Sequence, residues 1–218
     1  THLTFRASPS TGRAKISGHS WKPSISLVFV HSFRFDDVRK QIVRRPPAGD
    51  PYNVAGLDIT TVFQRRRVHC TLELLRHATR GASPGCRILD VGCGEGHLTA
   101  EFKKAFPQAE FSALDYSASA IARAVTLFPG IDFTVVTAYA PPYAPSYFDA
   151  VVCNNLWEHV PDPLRLLRGV FHVLRPGGSL IISTPSRYRF ANLRRVLVGK
   201  PVALLSQYHV TEYTVGQV

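Results

Sequence analysis

A glycine-rich stretch, Asp90-Val91-Gly92-Cys93-Gly94-Glu95-Gly96, offers the clearest chemistry in this sequence. It follows an apolar run, Arg87–Val91, that is typical of a short buried strand. Glycines between a strand and a helix let the backbone approach a ligand closely. The spacing is G-x-G-x-G, whereas a dinucleotide loop needs G-x-G-x-x-G and would have its third glycine at His97. The carboxylates of Asp90 and Glu95 disfavour a pyrophosphate and suit a cofactor that carries ammonium and sulfonium charges.

A second carboxylate, Asp115, ends the next predicted strand, nineteen residues after Gly96. A carboxylate at that strand end can accept two hydrogen bonds from ribose hydroxyls. The glycine loop and this carboxylate together predict a site for a nucleoside, and they are more specific as a pair than either is alone. The alternative is that Asp90 and Asp115 are ordinary residues at strand ends.

Five apolar runs alternate with segments of helical periodicity over the second half of the chain. The predicted strands are 87–91, 110–114, 131–136, 148–153 and 179–184. Such alternation predicts an α/β fold with a doubly wound, mainly parallel sheet and helices on both faces. Ligands of such sheets bind beyond the carboxyl ends of the strands.

At this level the sequence resembles the class I S-adenosylmethionine-dependent methyltransferases, and within them the type 11 small-molecule group. The resemblance covers about half of the chain and rests on the following stretches: Ile88–Gly96, Ala113–Asp115, Phe148–Val152, Glu158–Val160 and Val173–Gly178. It implies S-adenosylmethionine as cofactor and a small-molecule acceptor whose methylated atom is oxygen, nitrogen or carbon.

The resemblance also implies roles for single residues. The methionine part of the cofactor would be held by Asp90, Gly92, Cys93, Gly94 and, from the fourth strand, Asn154. Asp115 would bind the ribose, and Tyr116 would lie beside the adenine. Thr137 and Ala138 stand where relatives usually have Asp-Ala, so one hydrogen bond from the adenine amino group would go to a neutral acceptor.

His159 follows the fourth strand and is the candidate general base for an acceptor that must lose a proton. The alternative is that Glu158 and His159 brace the helix that begins near Asp162. Some quinone methyltransferases bind a divalent metal through a Glu three residues before a Glu-His pair. That position is Asn155 here, so we expect no metal. His209 is a secondary candidate for contact with the acceptor.

The two flanks of the chain are basic. The net charge is +11, of which residues 1–57 contribute +6 from nine basic and three acidic side chains. We expect residues 1–57 to form a poorly ordered arm and linker with one strand-like stretch, Ser24–His31, and residues 58–218 to form the methyltransferase domain. Four arginines after the fifth strand either hold an acidic or phosphorylated acceptor or belong to a solvated basic helix: Arg187, Arg189, Arg194 and Arg195. Basic flanks also leave open a contact with nucleic acid.

Three further expectations concern the chain's context. The sequence has no methionine, and relatives continue with a helix and an antiparallel strand pair, so we expect a fragment truncated before its last two strands. No apolar run approaches the roughly 20 residues of a membrane span. Four cysteines without a C-x-x-C spacing indicate reduced thiols and a cytoplasmic protein.

Three other functions remain open on the sequence alone. The chain could be a nicotinamide-dependent oxidoreductase, a binding domain that kept the fold without the chemistry, or an RNA methyltransferase. The oligomeric state is unknown.

Overall fold

The computed structural model describes residues 24–29, 62–79, 85–205 and 209–214. Six strands form one sheet in the order β1-β6-β5-β2-β3-β4, and every strand pair is parallel. The strands are β1 (Ser24–Phe29), β2 (Arg87–Val91), β3 (Glu110–Asp115), β4 (Asp132–Val135), β5 (Phe148–Asn154) and β6 (Leu174–Thr184).

Helices connect the strands. They are α1 (Val62–Ala78), α2 (His97–Ala105), α3 (Ala118–Leu127), α4 (Pro163–Val173) and α5 (Phe190–Leu197), with a 3-10 turn at Trp157–His159. Two helix starts have side-chain caps, because Ser117 accepts a hydrogen bond from the Ala120 N–H and Asp162 accepts one from the Arg165 N–H.

Apolar side chains alternate between the two faces of the sheet. On one face Ile88, Ala150 and Ile181 pack with α1 and α2 through residues such as Leu75 and Phe102. The other face packs against α4, and its fully buried core includes Leu89, Val151, Leu180, Leu166 and Val170. The predicted doubly wound parallel sheet with helices on both faces is therefore confirmed.

The strand order reverses between β5 and β2, which are neighbours in the sheet but not in the chain. At such a switch point the loops leaving two adjacent strands diverge and open a crevice at the carboxyl edge. The loops concerned follow Val91 and Asn154, so the sheet brings together the two segments that carry the predicted site.

Two strands of the sheet, β1 and β6, differ from the prediction. The sequence places Ser24–Phe29 in a loosely packed arm. In the structure this stretch pairs along its whole length with β6, so the sheet includes a strand that precedes residue 57. Strand β6 begins at Leu174 and not at Ser179, because its first residues continue the pairing with β5 past an irregularity near Phe148.

Among the helices that the structure describes, none combines the length and the apolar character that a transmembrane span requires.

Gly96 offers a test of how tightly the glycine loop is packed. Its φ of +77° lies in the left-handed region, and an added Cβ would lie 2.6 Å from the ring of Phe133. We expect Gly96→Ala to lower the free energy of unfolding by about 2 kcal/mol and the melting temperature by about 5 °C, as measured by calorimetry.

Gly130→Ala is the matched control, since nothing lies within 4 Å of a Cβ added there. Equal melting temperatures for the two variants would contradict the tight packing of the loop.

Candidate functional site

Asp115 ties the glycine loop to the end of β3. Its Oδ2 accepts a hydrogen bond from the Gly94 N–H at 2.9 Å, and its Oδ1 accepts one from the Ser117 N–H at 2.9 Å. The carbonyl of Leu114 accepts from the N–H groups of Gly92 and Cys93 at 2.8 and 3.1 Å. The carboxylate predicted to bind a ribose therefore faces the loop predicted to hold the methionine part of the cofactor.

The loop needs its glycines for conformation as well as for space. Gly92, Gly94 and Gly96 all have positive φ, at 79°, 55° and 77°. A Cβ on Gly92 would lie 3.0 Å from a methyl carbon of Leu156, which follows β5. The Leu156 side chain therefore packs against the first glycine of the loop at the switch point.

The two acidic residues of the loop behave differently. Asp90 is 2% exposed and accepts a hydrogen bond from the Thr99 hydroxyl at 2.6 Å. Burial raises the pKa of Asp90 to about 6, although the Thr99 hydrogen bond and the charge of Arg67 act in the opposite direction. Glu95 instead pairs with Arg123 at 2.7 Å and lies 3.5 Å from His97. The expectation that Glu95 presents its charge to the ligand was wrong, because Arg123 neutralises it.

Arg67 is a site residue that the sequence analysis missed. It lies on α1, is 3% exposed, and interacts electrostatically with Glu158 and Asp90. Burial lowers the pKa of Arg67 to about 10. Arg67, Thr71 and Leu75 recur every four residues and are all buried, and this helical spacing was the signal that distinguished Arg67 from its neighbours.

Asn154, at the end of β5, is held by two hydroxyls. Its Oδ1 accepts from Ser183 at 2.6 Å and from Thr71 at 3.2 Å. Within the described residues its Nδ2 is buried without a hydrogen-bond partner. A buried donor left unsatisfied costs about 1–3 kcal/mol, so this amide suits a ligand that brings an acceptor.

The residues predicted to surround the adenine lie next to Asp115. The Val136 N–H donates to the Asp115 carbonyl at 2.9 Å, which holds the loop of Thr137 and Ala138 against the end of β3. Thr137 is exposed and its hydroxyl accepts from the Tyr139 N–H at 3.4 Å. Tyr116 is 61% exposed, so its ring is accessible to a ligand.

Glu158 is buried completely beneath the candidate base. Its Oε2 accepts from the Thr184 hydroxyl at 3.0 Å, while Oε1 is buried without a hydrogen-bond partner in the described part of the chain. Burial raises the pKa of Glu158, opposed by hydrogen bonds and by the charges of His209 and Arg67. The Glu158 carbonyl accepts from the Val210 N–H at 2.7 Å, which holds the segment 209–214 against this residue.

That segment places His209 against His159. The two imidazole rings have centroids 4.8 Å apart and planes at 85°. His159 is exposed at the surface, whereas the Nδ1 of His209 lies 3.0 Å from a carboxylate oxygen of Glu212. Burial alone would raise the pKa of Glu212, but hydrogen bonds from His209 and Leu205 and the charge of Arg189 lower it.

Glu158, His159 and His209 also bear on the question of a metal. One ligand atom from each lies within 4.8 Å of the others. A carboxylate and two imidazoles form a donor set that suits a transition metal. Asn155 contributes no carboxylate to this group, and the absence of a metal stays a prediction.

The sequence profile of a family described as "Methyltransferase domain" matches residues 82–208, which include the glycine loop, Asp115, Asn154 and His159. The chain belongs to this family, and its resemblance to the S-adenosylmethionine-dependent methyltransferases is confirmed.

Curated proteins that are similar to this chain are named methyltransferases as well. The chain is 37% identical over 131 residues to the ubiquinone biosynthesis O-methyltransferase of Xanthomonas campestris pv. campestris, a match that covers 59% of this chain and 55% of that protein. It is 33% identical over 116 residues to the protein of the same name from Aeromonas salmonicida, covering 52% and 49%. The chain thus spans about half the length of the curated relatives it matches.

The fold also recurs in a solved structure. The YcgJ protein of Bacillus subtilis superposes with a TM-score of 0.53 at 23% identity, over 68% of this chain and 64% of that one. At that identity the likeness concerns the fold alone.

The buried carboxyl of Asp90 predicts a pH-dependent stability. Its pKa is about 6 in the folded chain and has a reference value of 3.8, so its stabilising contribution is complete at low pH and is lost as the pH rises from about 4 through 6. Asp90→Asn has no proton to lose. We expect the melting temperature of this variant, minus that of the original chain, to increase over this pH range and then to level off.

Asp132→Asn, at the exposed first position of β4, is the control. A constant difference for Asp90→Asn between pH 4 and 7 would contradict the burial argument.

Proposed function

We propose that this chain transfers a methyl group from S-adenosylmethionine to a small-molecule acceptor. The observation that carries the proposal is the Asp115 carboxylate, which is 2% exposed and faces the glycine loop at the switch point of the sheet. The curated relatives are named O-methyltransferases, which favours an oxygen on the acceptor.

The residues present fit the cofactor. The left-handed backbone of Gly92 and Gly94 turns the loop at the switch point, where the methionine part would lie, and the unsatisfied Nδ2 of Asn154 offers a donor to it. Arg67 would balance the methionine carboxylate, and Asp90 would balance the ammonium group. Each oxygen of the Asp115 carboxylate can accept more than one hydrogen bond, and these oxygens would accept from the ribose hydroxyls. Thr137, Ala138 and Tyr116 would surround the adenine.

The cofactor supplies a methyl group on a sulfonium, which is already a good leaving group, so the protein has to position the acceptor and take its proton. We infer that His159 is the general base. Its exposed ring can reach an acceptor hydroxyl, and the neighbouring imidazole of His209 is held by Glu212. The buried carboxylate of Glu158 lies at the adjacent position and would favour the protonated imidazole that forms.

The alternatives are less well supported. The spacing of the glycines and the acidic Asp90 disfavour a nicotinamide dinucleotide, which would bring a pyrophosphate to the loop. A non-catalytic domain would not need the accessible His159 beside a fixed His209. Nucleic acid as acceptor rests on net charge alone, and a cytoplasmic location stays a prediction.

Cofactor binding tests the role of Asp115. We expect Asp115→Ala to weaken binding of S-adenosylhomocysteine at least tenfold in a calorimetric titration, since two hydrogen bonds to a charged acceptor are lost. The exposed Asp132→Asn should bind as the original chain does.

A melting curve of each variant shows whether the loop is still folded. Undiminished affinity in Asp115→Ala would reject the site, and binding of NADH in place of S-adenosylhomocysteine would favour the oxidoreductase.

Methyl transfer tests His159. With a tritiated methyl donor and a panel of phenols, amines and carbon acids, we expect His159→Ala to lower kcat about a hundredfold on the acceptor that is used. Affinity for S-adenosylhomocysteine should stay within about twofold, because His159 is not among the proposed cofactor ligands. His172→Ala, at an exposed position of α4, is the control.

If the two histidine variants have equal rates, or if the rate of His159→Ala keeps the acid limb of the pH profile, His159 is not the base.

A further inference from the structure

Glu212 is a buried carboxylate with three polar partners. It is 1% exposed, its Oε1 accepts a hydrogen bond from the Leu205 N–H, and its Oε2 accepts one from Arg189. Arg189 also donates to the Ala203 carbonyl, so this arginine is engaged within the protein. Because Arg189 already compensates the charge of the buried carboxylate, the third partner of Glu212 calls for a separate explanation.

The third partner is the imidazole of His209, whose Nδ1 lies 3.0 Å from Oε1 of Glu212. Burial opposes the ionisation of Glu212, but its hydrogen bonds and the charge of Arg189 hold its pKa below the ordinary value. An ionised carboxylate can only accept a hydrogen bond, so Nδ1 of His209 carries the proton in this contact. Nε2 of the neutral ring then keeps its lone pair, which means that Glu212 selects the tautomer of His209.

The ring of His209 lies against the candidate base. The centroids of the His209 and His159 rings are 4.8 Å apart and their planes meet at 85°, which is an edge-to-face contact. One nitrogen of each ring and one carboxylate oxygen of Glu158 lie within 4.8 Å of one another. The backbone of His159 is fixed by the hydrogen bond from its N–H to the Leu156 carbonyl at 2.9 Å. Its exposed ring could still rotate, and the contact with His209 limits that rotation.

The segment that carries His209 is attached without the imidazole. The N–H groups of Val210 and Thr211 donate to the Glu158 carbonyl at 2.7 and 3.3 Å. The side chain of His209 is 6% exposed, so it offers little surface to an acceptor. These observations favour a role of His209 that acts through His159 over a purely structural role and over direct contact with the acceptor.

We propose that Glu212 and His209 are positioning residues for methyl transfer. Glu212 fixes the tautomer and the plane of the His209 ring, and this ring holds the imidazole of His159 in the orientation that meets the acceptor. The inference rests on the proposed function, because it takes His159 as the general base. A catalytic group that is displaced by a fraction of its productive geometry loses much of its effect, so a fixed ring is of use here.

The tautomer can be tested without cofactor or acceptor. Nuclear magnetic resonance of the full chain, isotope-labelled at the histidine ring nitrogens, reports which nitrogen carries the proton, and His209→Asn assigns the signals. At a pH where the ring is neutral, we expect Nδ1 of His209 to be protonated and Nε2 to be unprotonated. A protonated Nε2 in the neutral ring would overturn the inference, whatever reaction the chain catalyses.

Kinetics test the positioning itself. Glu212→Gln keeps the size of the side chain and removes its charge, and we expect it to lower kcat about tenfold on the acceptor that the original chain methylates. KM for the acceptor and affinity for S-adenosylhomocysteine should stay within about twofold, since Glu212 is not proposed to bind either molecule. His209→Asn removes the ring but keeps an N–H donor for Glu212, and it should lower kcat to a similar extent.

A double-variant cycle and a matched control separate positioning from folding. Because the effect acts through the base, adding Glu212→Gln to His159→Ala should change kcat by less than about twofold. The control is Asn192→Ala, since Asn192 is 3% exposed and anchors α5 through hydrogen bonds with the Arg187 carbonyl and the Ala203 N–H. It should lower the melting temperature and leave kcat within about twofold of the original value.

Three kinetic results would overturn the proposal. Equal losses of kcat in Asn192→Ala and Glu212→Gln would mean that Glu212 only stabilises the fold, and so would a full further loss when Glu212→Gln is added to His159→Ala. A chelator that stops methyl transfer, with recovery on addition of Zn²⁺, would make Glu158, His159 and His209 metal ligands. Absence of methyl transfer by the original chain would reject the proposed function together with this inference, whereas a failed tautomer or cycle test leaves the proposed function intact.

Discussion

The carboxylate of Asp115 is the contact on which the arrangement of the site depends. Three glycines in left-handed conformations would leave the loop after β2 with many accessible shapes, and one buried carboxylate selects among them by accepting from Gly94. The same side chain accepts from Ser117, which in turn caps α3. The Asp115 carboxylate therefore fixes both the conformation of the glycine loop and the start of α3. Strands β2 and β3 only have to place these two segments near each other.

A second constraint is the burial of charge behind the loop. Asp90, Arg67 and Glu158 are all nearly inaccessible, and Arg67 interacts with both acids. Burying ions costs several kcal/mol each, and such groups are weak evidence for stability, which makes these three residues candidates for a functional role. Arg67 also connects the two halves of the site electrostatically, because Asp90 precedes the glycine loop and Glu158 precedes the candidate base. Charge introduced by a ligand on one side will therefore be felt on the other.

The sequence was sufficient for the elements whose signals are local. Apolar runs bounded by Gly and Pro defined β2 to β6, and Ser117 and Asp162 stood at the helix starts that they cap. It was insufficient where the partner comes from a distant segment. Nothing near Glu95 in the chain indicates Arg123, and His209 reaches His159 only because Val210 and Thr211 hydrogen bond to Glu158. Edge pairing of Ser24–Phe29 is likewise a property of the assembled sheet.

Acidic and basic residues occupy different parts of this fold. Residues 81–184 are slightly acidic and hold the crevice, whereas the basic residues after β6 surround an outward apolar face. An isolated helix of this composition would be interpreted as solvated, because its cations do not share one face. The polar anchor of Asn192 and Arg189 is what turns the aliphatic side outward. Since Glu212 binds Arg189, the Leu205 N–H and His209 together, one buried carboxylate holds both the segment after β6 and the imidazole beside His159.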